Sequence, residues 1–220
     1  MKTILDHTIE ESLITKNGWC LDLGCVDFKF TNQLMTMCDN VICVDANPNI
    51  ISGNPQARFE NKAVVSQLQF RKTAVITYME YPDIQANCIV TSPKDHWNVK
   101  NKRIIETTCI EELMKKYNIK QFDLIKMDIE GAEYDILQYL DVICTKQLSV
   151  EFHDFRNMNP CYPDNQRFYR EFLAKNEKYL DIAKHDWTSH PGFAAGHGDS
   201  YWDSLFILKK EFHLPEGSVK

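Results

Sequence analysis

The segment covering residues 122–137 constrains the fold of this chain more than any other feature. It begins with an apolar-rich run that ends at Met127 and meets a carboxylate, Asp128, where a buried strand would end. A second acid and a glycine follow, and apolar residues then recur at helical spacing up to Leu140. A strand that ends in acids and leads directly into a helix is typical of the active-site edge of an open α/β sheet.

Other apolar runs and helical patterns alternate with this segment along the chain. Strands are predicted at 19–23, 41–44, 57–65, 148–153 and 204–208, and helical spacing occurs at 28–38, 110–117 and 165–176. The alternation predicts one α/β domain over residues 1–220, built on a mostly parallel sheet. Residues 66–108 contain short strand-like runs, including 69–71, and predict a small β excursion from that sheet.

Composition limits the class of partner and the compartment. The formal net charge of −6 argues against a nucleic-acid partner, because phosphate binding is driven mostly by Lys and Arg. None of the eight cysteines forms a C-x-x-C pair, and several lie in apolar runs, so reduced thiols are expected. Charge appears too early for a signal peptide, and no apolar run is long enough to span a membrane. We therefore expect a soluble, cytoplasmic protein without a membrane partner; the oligomeric state stays open.

Polar residues follow several predicted strands and should meet at one edge of the sheet, because parallel strands share their carboxyl ends there. These residues are Asp22, Gly24, Asp45, Asp128, Glu130, Glu151 and His153. The spacing from Gly24 to Asp45 fits a glycine turn followed by an acid that binds ribose hydroxyls. A complete G-x-G-x-x-G is absent, since Val26 and Phe28 stand where further glycines would be expected. This favours a nucleoside cofactor without phosphates over a dinucleotide.

The eight residues KMDIEGAE, at positions 126–133, resemble the signature of the FkbM-type S-adenosylmethionine-dependent methyltransferases. Residues 21–25 resemble the first cofactor motif of that family, 61–64 its third-strand region, and 150–153 the strand that follows the signature. The resemblance covers about residues 18–155. It departs from the family pattern at Phe28, in place of a second glycine, and at Asp45-Ala46, in place of Glu-Pro. It implies a Rossmann-like class I methyltransferase sheet with one antiparallel strand and helices on both faces, and S-adenosylmethionine as cofactor.

The cofactor side of the expected site consists of residues from the first three strands. They are Asp22, Gly24, Asp45, Ala46, Asn47 and Ala63. Asp45 is expected to accept the ribose hydroxyls, and Asp22 to contact the methionine moiety directly or through water. The alternatives are that each aspartate caps a turn.

The acceptor side of the site is expected at Asp128 and His153. Asp128 could orient the acceptor hydroxyl, act as a base or bind a divalent cation, and His153 is the natural general base because its unperturbed pKa is near neutral. Asp128, Glu151 and His153 could together bind Mg²⁺ or Mn²⁺ and chelate a substrate diol. Glu130 could serve the site or the helix start, whereas Glu133 is expected to be structural.

The function that these observations favour is methyl transfer from S-adenosylmethionine to a hydroxyl of a small polar acceptor. A sugar or glycan is the leading acceptor, and residues 186–203, rich in Gly, His and aromatic residues, are expected to form a substrate-covering loop. Two alternatives stay open. One is an NAD-dependent oxidoreductase on a similar sheet, and the other is a non-catalytic module that binds the cofactor without turnover.

Overall fold

A computed structural model describes residues 1–50, 53–80, 88–89, 101–155, 165–185 and 199–215. Its strands are β1 (Lys2–Ile4), β2 (His7–Ile9), β3 (Trp19–Leu23), β4 (Asn40–Asp45), β5 (Arg58–Asn61), β6 (Ala63–Val64), β7 (Val75–Glu80), β8 (Cys88–Ile89), β9 (Asn101–Thr108), β10 (Leu124–Met127), β11 (Gln147–Phe155), β12 (Leu180–His185) and β13 (Asp199–Leu208). Its α-helices are α1 (Lys29–Leu34), α2 (Gln67–Phe70), α3 (Ile110–Tyr117), α4 (Glu133–Tyr139) and α5 (Asn165–Asn176).

Seven strands form the main sheet in the order β12-β13-β11-β10-β3-β4-β5. The strands from β11 to β5 are parallel to their neighbours, whereas β13 is antiparallel to both β11 and β12. β13 is therefore the one antiparallel strand of this sheet, and the predicted Rossmann-like class I methyltransferase architecture is confirmed. The strand order reverses between β3 and β10, so their carboxyl ends mark the crevice in which such sheets bind ligands.

Alternating side chains give the main sheet two different faces. One face packs against α3, α4 and α5 and forms the largest core cluster, which includes Leu21, Ile125 and Phe152. The opposite face contributes Cys20 and Leu124 to a second cluster, in which they meet α1 and the apolar residues of the β1–β2 hairpin. Helices thus lie on both faces as predicted, and the hairpin, which sequence analysis did not predict, covers part of the second face.

Four strands form a smaller sheet in the order β6-β9-β7-β8, in which β6 runs parallel to β9 and the other pairs are antiparallel. The single strand expected at 57–65 is wrong: the Lys62 amide turns back to the Glu60 carbonyl at 3.0 Å, which separates β5 from β6. The strand expected at 69–71 is also wrong. The Ser66 hydroxyl accepts from the Gln69 amide at 3.2 Å and starts α2 there as an N-cap.

Six cysteines in the described part of the chain are buried and form no disulfide: Cys20, Cys25, Cys38, Cys43, Cys109 and Cys144. Among the helices of the described part of the chain, none is long and apolar enough to cross a membrane.

Candidate active site

The turn after β3 packs directly against the end of β10. Gly24 has a φ of +79°, and a Cβ built on it would lie 1.7 Å from the carbonyl oxygen of Asp128. The Asp128 amide donates to the Leu23 carbonyl at 3.1 Å, which holds the two segments together. Gly24 is therefore required both by its left-handed backbone and by the close approach of Asp128.

The two positions that lack the expected glycines keep a glycine-like backbone. Val26 and Phe28 have φ values of 23° and 60°, in a region that costs a non-glycine residue about 1–2 kcal/mol. Phe28 is buried and packs edge-to-face on Phe59, with ring centroids 5.3 Å apart, whereas Val26 is half exposed. Strain of this kind collects at functional sites, where the surrounding structure holds it in place. The turn therefore has positive φ values at two positions occupied by residues other than glycine.

Asp45, at the end of β4, joins the first turn to the next loop. Its Oδ2 accepts from the Val26 amide at 2.9 Å, and its Oδ1 accepts from the Asn47 amide at 2.8 Å. The Asn61 side-chain amide donates to the Asp45 and Asn47 carbonyls at 2.9 and 2.8 Å. Burial raises the pKa of the Asp45 carboxyl above its ordinary value. Asp45, Ala46 and Asn47 therefore lie together beside the Gly24 turn, as a cofactor site requires, and ribose binding by Asp45 stays a prediction.

Asp22 is fully buried below this turn and contacts a buried lysine. The Thr31 hydroxyl donates to Asp22 Oδ2 at 2.6 Å, and Lys126 Nζ lies 3.3 Å from Asp22 Oδ1. Lys126 Nζ also donates to the carbonyls of Leu23 and Gly24, at 3.3 and 2.8 Å, and lies 3.3 Å from Asp128 Oδ2. One ammonium group thus connects the predicted cofactor side of the site with the acceptor side. Sequence analysis did not single out Lys126.

Ala63, the last predicted cofactor residue, lies in the smaller sheet. It belongs to β6, opposite Thr107 of β9, and is fully buried in a core cluster with Val65 and Ile76. Half-buried Ala46 packs against this cluster, so the smaller sheet contacts the loop that follows Asp45. The place of Ala63 in cofactor binding stays a prediction.

The predicted acceptor side forms a cluster of carboxylates around His153. Glu133, the first residue of α4, is fully buried, and its Oε1 lies 3.0 Å from His153 Nδ1 and accepts from the Ile129 amide at 2.9 Å. This contact turns His153 Nε2 toward Asp128 Oδ1 at 3.9 Å, Glu130 Oε2 at 3.7 Å and Glu151 Oε2 at 3.9 Å. We expected Glu133 to be structural, and the structure adds that it orients His153.

Two further members of this cluster, His7 and Asp203, were missed by sequence analysis. His7 comes from β2 of the hairpin, with Nε2 3.6 Å from Asp128 Oδ2 and Nδ1 3.7 Å from Asp203 Oδ1. Its ring packs edge-to-face on Phe30 of α1 at a centroid distance of 5.4 Å. Asp203 lies in β13 directly opposite Glu151 of β11. The expected loop at 186–203 therefore ends inside a strand, and its part at 186–198 lies outside the described residues.

Burial and neighbouring charges shift the pKa values of the carboxyls in this cluster in different directions. Burial raises the pKa of Glu130 to about 7 and that of Glu151 to about 9, and in both cases the neighbouring Asp128 charge adds to the effect. Burial also raises the pKa of Asp203 to about 7. Burial acts in the same sense on Asp128, but Lys126 and the two imidazoles outweigh it and hold its pKa well below its ordinary value. Asp128 is therefore ionised at neutral pH.

The two imidazoles differ. Burial lowers the pKa of His7, and the nearby Asp128 carboxylate offsets only part of this. Burial also acts to lower the pKa of His153, but the carboxylates around it, Glu133 first, outweigh that and raise it well above its ordinary value. In this surrounding His153 is a cation at neutral pH, whereas His7 is neutral.

A comparison with known protein families shows the family to which this chain belongs. The sequence model of the methyltransferase FkbM domain matches residues 27–180, well over half of the chain. The chain belongs to the FkbM methyltransferase family. Among curated proteins, none matches it.

Several solved structures are similar to this FkbM chain. A protein from Streptococcus mutans, described as a methyltransferase and solved in complex with SAH, is 8% identical with a TM-score of 0.43, over 90% of this chain and 91% of the other. An rRNA methylase from Streptococcus thermophilus is 9% identical with a TM-score of 0.43, over 90% of each chain. A dimethyladenosine transferase from Plasmodium falciparum is 13% identical with a TM-score of 0.46, over 92% of this chain and 60% of the other. The FkbM chain thus spans less than two thirds of the Plasmodium protein.

The segment 126–133, which resembles the FkbM signature and lies within the matched residues, contributes four of the side chains at this site. Lys126 and Asp128 come from β10 and its end, Glu130 from the turn that follows, and Glu133 from the start of α4. Glu130 has a φ of 54° and Gly131 a φ of 94°, so two left-handed residues turn the chain sharply from strand to helix. That turn is what places Glu130 and Glu133 on either side of His153.

Proposed function

We propose that this FkbM chain is an S-adenosylmethionine-dependent O-methyltransferase acting on a hydroxyl of a small polar acceptor, with a sugar or glycan as the leading class. Family membership supports methyl transfer. The observation that supports the two-sided site is the Lys126 ammonium, which contacts the Gly24 turn on one side and Asp128 on the other. S-adenosylmethionine would bind beside the Gly24 turn and Asp45, and the acceptor beside Asp128.

Methyl transfer is an in-line displacement that requires alignment more than strong base catalysis. The acceptor oxygen forms a bond to the methyl carbon, the carbon–sulfur bond breaks, and its electron pair stays on sulfur. As the new bond forms, the hydroxyl oxygen becomes positive and its proton becomes strongly acidic. A carboxylate with a low pKa can accept such a proton, and Asp128, ionised and with its side chain 27% exposed, suits this role.

His153 fits a different role from the general base that its ordinary pKa indicates. Because its neighbours keep it protonated, it cannot accept the proton of the acceptor at neutral pH. We assign to it the charge that, with Lys126, keeps Asp128 ionised, while the contact with Glu133 fixes its orientation. The surrounding carboxylates also favour a cationic sulfonium donor over its neutral product.

A polar, non-nucleic-acid acceptor agrees with the charge of the site. Carboxylates dominate the acceptor side, and the chain as a whole has a formal net charge of −6. Both repel a phosphodiester backbone, whereas carboxylates accept hydrogen bonds from the hydroxyls of a sugar.

Thermal shift with saturating S-adenosylmethionine or NAD⁺ tests the cofactor assignment. We expect S-adenosylmethionine alone to raise Tm, by several degrees, because a ligand that binds only the folded state stabilises it. A shift with NAD⁺ alone would support the oxidoreductase alternative. Release of S-adenosylhomocysteine is then measured with a panel of mono- and oligosaccharides. Cofactor binding without release for any hydroxyl acceptor would support the non-catalytic module and refute the proposed reaction.

A further inference from the structure

We propose that His7, Asp128 and Glu151, at one side of the cluster around Asp128, bind one divalent transition-metal ion of the Mn²⁺ or Zn²⁺ type. Two groups of potential ligand atoms overlap there: His7, Asp128 and Glu151, and Asp128, Glu130 and His153, with the atoms of each group within 4.8 Å of one another. Asp128 belongs to both groups. The proposed site keeps Asp128 and Glu151 of the ligands predicted from sequence and has His7 in place of His153.

Each imidazole is oriented as a metal ligand would be. His153 Nδ1 is bound to Glu133 Oε1 at 3.0 Å, so that Nε2 faces the acids. His7 Nδ1 faces Asp203 Oδ1 at 3.7 Å, and its Nε2 faces Asp128. In metal sites a ligating histidine typically directs its other ring nitrogen to a carboxylate, which fixes the ring and raises its basicity. The hydrogen-bonded form of this arrangement occurs at His153, and at His7 the Asp203 carboxylate faces the ring from 3.7 Å.

The distances between the groups leave space for an ion. The Nε2 atoms of His7 and His153 lie 3.6–3.9 Å from the facing oxygens of Asp128, Glu130 and Glu151. Hydrogen bonds would be about 2.7–3.2 Å long. Ligand atoms that each lie about 2.0–2.2 Å from a shared ion are about 3.0–3.5 Å apart, so a small inward shift would form a coordination shell.

His7 supplies an independent indication of a ligand. Its side chain is 5% exposed, and its Nδ1 has no hydrogen-bond partner among the described residues. Its Nε2 points at Asp128 from beyond hydrogen-bond distance. A buried ring nitrogen without a hydrogen bond costs free energy, and an ion bound at Nε2 would offset that cost.

The charge of the cluster also favours a cation. Five carboxylates, those of Asp128, Glu130, Glu133, Glu151 and Asp203, lie around the two imidazoles, and all are buried or half-buried. Lys126 also contacts Asp128, but its ammonium is shared with Asp22 and two carbonyls. A divalent ion would replace the protons that these groups hold without it.

The donor set selects the kind of ion. Mg²⁺ prefers oxygen ligands and retains its water, whereas imidazole suits transition metals, and a mixed nitrogen and oxygen set suits Mn²⁺, Fe²⁺ or Zn²⁺. An ion bound by Asp128 would lie on the acceptor side of the site. Its use in catalysis rests on the proposed methyl transfer, but its binding does not.

Metal binding is tested on the full chain without cofactor or acceptor. The chain is stripped with a chelator and titrated with MnCl₂, ZnCl₂ or MgCl₂ by calorimetry at pH 7.5. We expect one Mn²⁺ or Zn²⁺ per chain, bound at least about 100-fold more tightly than Mg²⁺. Pulsed electron paramagnetic resonance of the Mn²⁺ form should show imidazole ¹⁴N coupling, and this measurement needs no variant. No stoichiometric binding, or Mn²⁺ without nitrogen coupling, would overturn the proposal.

Variants locate the ion. Asp128→Asn and His7→Gln should weaken Mn²⁺ binding at least about 10-fold, and Asp203→Asn, which acts through His7, by about 10- to 100-fold. The matched control is His213→Gln, since His213 bonds the Leu208 carbonyl and is not part of the cluster, and it should bind as the wild type does. Circular dichroism confirms that each variant folds. Equal affinity in Asp128→Asn and the wild type would refute the site. Binding of Mn²⁺ without binding of S-adenosylmethionine would leave the site standing and refute the proposed function instead.

Discussion

Lys126 provides the sharpest test of how this site is held together. Its ammonium group is fully buried and lies between the Asp22 and Asp128 carboxylates and the carbonyls of Leu23 and Gly24. Lys126→Met keeps most of the apolar stem and removes the charge. Because Asp22 is fully buried, its carboxylate then loses its cation in a place that water does not reach. Loss of one partner of a buried pair costs about 3–5 kcal/mol, and we expect a loss of that size in the free energy of unfolding.

The assay is equilibrium urea denaturation of the wild type, Lys126→Met, Asp22→Asn and the double variant. Lys126→Met leaves the Asp22 carboxylate without its cation, whereas Asp22→Asn leaves Lys126 paired with Asp128. Because both changes remove the same contact, the double variant should lose less than the sum of the two, with a coupling of about 2 kcal/mol or more. Lys115→Met, on the exposed side of α3, is the matched control and should stay within about 0.5 kcal/mol of the wild type.

The pH dependence of this loss follows from the sign of the pKa shift. Burial opposes the charge of Lys126, but Asp128 and Asp22 outweigh it and raise the pKa of the ammonium above its ordinary value. A raised lysine pKa contributes stability that is fully present below the unfolded pKa of about 10.4. The loss in Lys126→Met should thus be the same at pH 6 and pH 8. A loss below about 1 kcal/mol, or strict additivity in the double variant, would refute the central role of this ammonium.

Three further outcomes are expected. Val26→Gly should raise the free energy of unfolding by about 1 kcal/mol in urea denaturation, because it relieves the left-handed backbone of a valine whose side chain is half exposed. A lower free energy of unfolding in the variant would show that Val26 is not strained. Asp45→Asn should weaken S-adenosylmethionine binding about 10-fold by calorimetry, whereas exposed Asp39→Asn should not, and equal affinities would remove Asp45 from the cofactor site. Burial opposes ionisation of Glu60, but hydrogen bonds from Lys116 and Tyr117 outweigh it and lower its pKa. Glu60→Gln should therefore be less stable than the wild type at pH 7, and this difference in the free energy of unfolding should disappear as pH falls below about 4. A difference that persists below about pH 4 would contradict the shift.

The sheet could be predicted because its central strands are short apolar runs that end in acids. The pattern that marked 19–23 and 41–44 needs no tertiary information, since strands buried on both faces are apolar throughout. Helix α3 was predicted at its observed bounds, because its acids come early and its lysines late. In contrast, β1 and β2 have three residues each, too few for a periodicity, and their pairing depends on the sheet below them.

The residues of the candidate site that sequence analysis missed are brought together only by the tertiary structure. Asp203 meets the cluster only through the register that sets it opposite Glu151, and a register cannot be read from either strand alone. Lys126 stands in an apolar run, and its partners Asp22 and Gly24 come from another strand and turn that reach it only in the folded sheet. His7 is close to the chain start in sequence and reaches Asp128 only because the hairpin folds over the sheet.

The position of the hairpin follows from the alternation of the central strands. Leu124 and Lys126 share one face of β10, and the register with β11 puts Ser149, and with it Glu151 and His153, on that same face. Toward the amino ends of β3, β4 and β10 this face is apolar and meets α1, whereas toward the carboxyl ends it is polar. A cover over the polar half must itself supply a polar group, since an apolar one would leave the carboxylates unpaired. β2 supplies His7 there, while Ile9 of the same strand meets the core, and the hairpin so covers the proposed acceptor side with a side chain able to join it.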